Sequence, residues 1–120
     1  MITIMPESEG SIIGVEFYEP VTDTDYRKVF IPEMERVLAE HGKCRLLIYI
    51  PEHFAYMTMG ALWDDIKFSR AHKEEIERMC LVGEGDMFEW SLKIYAEQAT
   101  DHALNFSHEQ LDEAWEWIRA

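Results

Sequence analysis

Five histidines, two adjacent aspartates, a threonine close to a glycine and two cysteines are the residues of this chain whose types could do chemistry. His41, His53, His72, His102 and His108 would suit a metal ion or proton transfer, but none belongs to a His-Glu-x-x-His pattern or another ligand spacing. His53, beside Glu52, is the best placed and reads as a surface-loop residue. His72 closes a basic helical stretch and reads as a partner for the last carbonyls of that helix. Asp64-Asp65 could act as paired carboxylates in acid–base work, yet with 24 acids in 120 residues such neighbours arise by chance, and a helix start accounts for them through its dipole. Gly-x-Ser-x-Gly, Gly-Lys-Ser/Thr and dinucleotide glycine patterns are absent, and Gly83-x-Gly85 is too short to indicate a nucleotide. Cys44 and Cys80 lie in apolar, strand-like segments without Cys-x-x-Cys spacing and read as reduced core thiols. The chain thus reads as non-enzymatic, with no cofactor and no metal.

An apolar segment is more informative than any of these polar groups. Directly after the strand-like run Cys44 to Ile50 come Phe54, Tyr56, Met57, Met59, Leu62 and Trp63. A connection leaving the carboxyl end of a strand normally runs over the surface, and in open α/β sheets ligands bind there. These side chains suit a lid, a pocket wall or a docking patch, or else they pack on the sheet. Three or four of them buried together, at about 1.5–3 kcal/mol each, would outweigh local charge effects. Lys67 and Arg70 follow and could face an anionic head group, while Met87, Phe88 and Trp90, behind the next strand, could form the opposite wall. The expected partner is a hydrophobic or amphipathic small molecule, with flexible methionines tolerating varied shapes.

Charge narrows the partners further. The formal net charge is −13, from 11 basic and 24 acidic residues, which argues against nucleic acid because phosphate binding relies on clustered Lys and Arg. Within residues 54–73, however, Lys67, Arg70 and Lys73 outnumber Asp64 and Asp65. Transient peripheral contact with an anionic membrane is compatible with that local balance, whereas stable anchoring would need a lipidation motif or long amphipathic anchor. No apolar run approaches the roughly 20 residues that span a bilayer, and the amino terminus lacks a signal-peptide pattern, so a cytoplasmic protein, at most touching the inner membrane surface, is expected.

The elements that must position these residues alternate along the chain. Ile2-Thr3-Ile4 and Ile12 to Phe17, separated by a Gly-containing link, predict an antiparallel strand pair. Thr22 and Asp25 mark a helix start, and Tyr26, Phe30, Met34, Val37 and Leu38 recur at helical spacing until Gly42, with Pro32 inside predicting a kink or separate first turns. Arg45 to Ile50 is apolar without alternation, as a central strand covered on both faces should be. A helix over about 60–72, a strand over 76–82, a short helix over 87–95, a strand over 103–106 and a last helix follow. Ser107 and Gln110 form a capping box for that helix, and Leu111, Ala114, Trp115 and Ile118 share one of its faces. The expectation is a single α/β domain with a mixed, mostly parallel sheet of about five strands and about four helices.

Several of these signatures together resemble the SpoIIAA-like family, related to STAS domains and to the CRAL-TRIO lipid-binding fold. They are the Asp25-Tyr26 helix opening with Pro32 beyond it, Leu46-Leu47, the run Ala61-Leu62-Trp63-x-Asp65-Ile66-Lys67-Phe68 with His72, the Arg78 to Val82 strand, and Phe106 with Glu113-Ala114-Trp115-x-Trp117-Ile118. The resemblance spans nearly the whole chain and implies one such domain over residues 1–120. It also implies a movable cover around the second helix, over a hydrophobic ligand or against a membrane. STAS domains that antagonise anti-sigma factors carry a phosphorylatable serine in an Asp-Ser-Ser/Thr-Gly turn. The matching stretch here, Tyr56-Met57-Thr58-Met59-Gly60, keeps only Thr58, which also suits a plain helix N-cap. The alternative function is therefore a STAS-like regulatory domain without that serine motif, meeting a regulatory protein or a second copy of itself through the same patch.

Overall fold

The computed structural model describes residues 1–18, 22–50, 74–83 and 103–120. Strand β1 (Ile2–Ile4) pairs antiparallel with β2 (Ile12–Phe17), as the two β-branched runs predict. Parallel pairings then join β2 to β3 (Cys44–Tyr49), β3 to β4 (Ile76–Val82) and β4 to β5 (Ala103–Phe106). The result is one five-stranded mixed sheet in the order β1-β2-β3-β4-β5. Two helical runs are described, and the expected helices over about 60–72 and 87–95 lie outside the described residues.

The first run shows how proline shapes a helix. It opens with the single turn α1 (Asp23–Asp25), where the Thr22 hydroxyl accepts from the Asp25 N–H at 3.2 Å and the Asp25 carboxylate accepts from the Thr22 N–H at 2.9 Å, a reciprocal capping box. A π-helical stretch follows over Tyr26–Phe30, and α2 proper runs Ile31–His41 with Pro32 in its first turn. Pro32 has no N–H to return to an earlier carbonyl, and just before it the Ile31 N–H reaches back five residues to the Tyr26 carbonyl. The proline thus produces a widened turn rather than a break. Gly42 ends α2 at φ 74°, the left-handed conformation that a Cβ disfavours.

Period-two alternation sends the strand side chains to two separate cores. On one face Val15, Phe17, Leu46, Ile48, Met79 and Leu81 meet Tyr26, Phe30, Met34 and Val37 from the first helical run. Phe17, Tyr26 and Phe30 pack edge-to-face there, with ring centroids 5.1–6.4 Å apart. On the other face Met5, Leu47, Cys80 and Val82 meet Ala114, Trp115 and Ile118 of α3 (Leu111–Arg119). Ser107 and Gln110 form the expected capping box ahead of α3, closing the short 3₁₀ turn His108–Gln110. Trp115 lies across Gly14 so closely that a Cβ on that residue would stand 2.5 Å from Cη2 of the indole, so only glycine permits the approach.

A bulge lets β4 serve both cores. Cys44 pairs with Ile76 but Arg45 pairs with Arg78, leaving Glu77 as an extra residue. Ile76 and Met79, three apart, therefore both face the α2 side, while Arg78 turns beside Arg45 toward α3. Arg45 donates to the Ile118 carbonyl at 3.0 Å and Arg78 to the Trp117 carbonyl at 2.7 Å, with the Arg78 guanidinium 5.2 Å from the Trp117 ring centroid. Two cations thus satisfy the last carbonyls of α3 at the negative end of its dipole.

Candidate functional site

Parallel strands all end on one edge of a sheet, and in this chain the carboxyl ends of β2 to β5 bring together residues far apart in sequence. Pairing continues just past the strands: the Ile50 N–H donates to the Val82 carbonyl at 2.8 Å and the Gly83 N–H to the Phe106 carbonyl at 3.0 Å. Neighbouring strands β3 and β4 therefore end side by side, at the points where residues 51–73 and 84–102 begin. Phe54, Tyr56, Met57, Met59, Leu62, Trp63, Lys67, Arg70, Met87, Phe88 and Trp90, together with His53, Thr58, Asp64, Asp65, His72 and His102, lie in those segments, outside the described residues.

The described part of this edge, on the α3 side, is built by Glu16, Tyr18, Tyr49 and His108. Glu16 sits opposite Tyr49 in the β2–β3 register. Tyr18, two residues further on and exposed, donates its phenol hydrogen to the Glu16 carboxylate. That hydrogen bond is the chief reason the Tyr18 phenol is held above its ordinary pKa, with partial desolvation and the charges of Glu16 and Tyr49 adding to it. Tyr18 thus stays a neutral donor. Tyr49 packs against the His108 ring at a centroid distance of 5.4 Å. Nε2 of His108 lies 2.6 Å from the Ile50 carbonyl, and because a carbonyl can only accept, that nitrogen carries the hydrogen. His108 therefore ties the start of the last helical run to the point where residues 51–73 leave β3.

These groups offer hydrogen bonding and aromatic rings. The Nε2 of His108 is committed as a donor and so is not a base at that atom. Among the described residues no group of three His, Cys, Asp or Glu side chains could hold a metal ion. The cysteines supply no nucleophile: burial, with Glu75 and Glu77 adding to it, pushes the Cys44 thiol up to about 12, and burial alone does the same at Cys80. They lie in the cores on opposite faces of the sheet. His41, at the end of α2, is 3.8 Å from the Glu40 carboxylate at the surface.

A cavity of about 290 Å³ opens elsewhere, between the β1–β2 link and α2, lined by Ile4, Pro6, Ser8, Glu33, Arg36 and Val37 among others. Ser8, Glu33 and Arg36 of its lining already serve the fold. Ser8 accepts from the Gly14 N–H at 2.9 Å, and Arg36 spans Glu33 and Glu40 on the surface of α2.

Glu16 and Tyr18 belong to no motif, although alternation through Ile13, Val15 and Phe17 already turns Glu16 to the opposite face. The contact of His108 with Ile50 spans 58 residues and had no local signal.

Comparison with known proteins agrees with this architecture. The SpoIIAA-like family model matches residues 12–119. The chain belongs to the SpoIIAA-like family. A crystal structure of an uncharacterised protein of the DUF3478 family with a SpoIIAA-like fold, from Shewanella loihica PV-4, superposes with a TM-score of 0.77 at 23% identity, over 98% of this chain and 93% of that one. No curated protein matches the chain. Among the described residues no helix is long and apolar enough to cross a membrane.

Proposed function

We propose that residues 1–120 work as one SpoIIAA-like domain that binds rather than catalyses, and that its occupant is a hydrophobic or amphipathic small molecule held at the carboxyl edge of the sheet. One observation carries this reading: helices close both faces of the sheet with continuous cores, while β3 and β4 end next to one another at that edge. Phe54 is four residues beyond Ile50 and Met87 four beyond Gly83. Chain reach alone keeps each within about 14 Å of the edge, since an extended residue spans at most about 3.6 Å. In this proposal Phe54, Tyr56, Met57, Met59, Leu62 and Trp63 cover the ligand, Met87, Phe88 and Trp90 face them, and transient contact with a membrane surface delivers or receives it.

Native mass spectrometry of the gently purified protein, with organic extraction and Trp63→Ala beside it, tests the proposal. A retained lipid-like mass that disappears in the variant supports it. A ligand-free protein whose binding to neutral and anionic vesicles is unaffected by the substitution overturns it. Membership of a family related to STAS domains supports a second reading, in which the same edge meets a regulatory protein or a second copy of the chain. A ligand-free dimer broken by Trp63→Ala would favour that reading.

A further inference from the structure

We draw no further inference here: the strongest candidate, the cavity of about 290 Å³ between the β1–β2 link and α2, carries nothing because Glu33 and Arg36 of its lining are already paired with each other and nothing in the structure shows what would occupy it.

Discussion

The two edges of the parallel sheet are chemically opposite. At the amino edge Arg45 and Arg78 are fully engaged, donating to carbonyls of α3, with Arg45 also 3.4 Å from Glu77 and Lys43 3.5 Å from the same carboxylate. At the carboxyl edge the Tyr18 phenol donates to Glu16, His108 meets Tyr49 and the Ile50 carbonyl, and Tyr49 packs against the α3-side core. One edge holds the last helix in place. The other anchors the roots of two long connections and presents polar and aromatic groups to whatever comes there. Substitutions at the amino edge should therefore register in stability, and those at the carboxyl edge in binding.

The helix that joins both edges is the most sensitive point of the contrast between them. Trp115→Ala removes a nearly buried indole from the α3 core and should cost about 3–5 kcal/mol in denaturant unfolding, enough to release α3 from the sheet. Arg78→Met should cost about 1.5–3 kcal/mol, because it removes a charged donor from a helix carbonyl. Arg45→Met should cost a similar amount, and the double variant less than the sum because both residues serve the same helix end. A change under 0.5 kcal/mol in either would mean that the amino edge does not hold α3.

Thr22→Ala should lose about 1 kcal/mol by deleting the capping-box acceptor. The paired Asp25 has its own pH signature. Partial burial raises its carboxyl, but hydrogen bonds from the Thr22 backbone, the amino terminus and the Thr22 hydroxyl outweigh it, so its pKa falls below the ordinary value. A depressed carboxylate stabilises the fold above its unfolded pKa, about 3.8–3.9, and that stability is lost as pH falls through the lower folded value. Asp25→Asn should therefore flatten the stability curve below about pH 4. The smallest effect sharpens the contrast: Glu16→Gln should leave stability within about 0.5 kcal/mol. A loss above about 1 kcal/mol would make the carboxyl edge as structural as the amino edge.

Where side chains bury against neighbours close in sequence, the chain announces its fold. The spacing of Tyr26, Phe30, Met34, Val37 and Leu38 defined a helix face, Gly42 its end, and the unbroken apolar run of β3 its central position. The helix start at Thr22 and Asp25 and the capping box of Ser107 and Gln110 were legible for the same reason, since each closes within four residues. Contacts made only after the sheet assembles left no such mark. Gly14 reads as an ordinary strand glycine until Trp115, 101 residues later, is seen across it, and Arg45 reads as a strand boundary rather than a clasp on α3. The candidate site was legible as a place, the end of β3, because topology dictates that edges collect connections. Its described chemistry was not legible, because Glu16, Tyr49 and His108 become neighbours only through parallel pairing and the return of the last helix.

The single extra residue in β4 has a consequence for how this chain can change in length. Glu77 sits in the bulge and pairs with Lys43 and Arg45 at the sheet's rim, while Ile76 and Arg78 already oppose Cys44 and Arg45. Removing it would restore unbroken phase between β3 and β4 without moving Met79, Cys80, Leu81 or Val82 out of register. Loss of Glu77 is thus absorbed at the amino rim and leaves the pairing at the carboxyl edge unchanged, so the frame around the candidate site is insulated from that change in chain length.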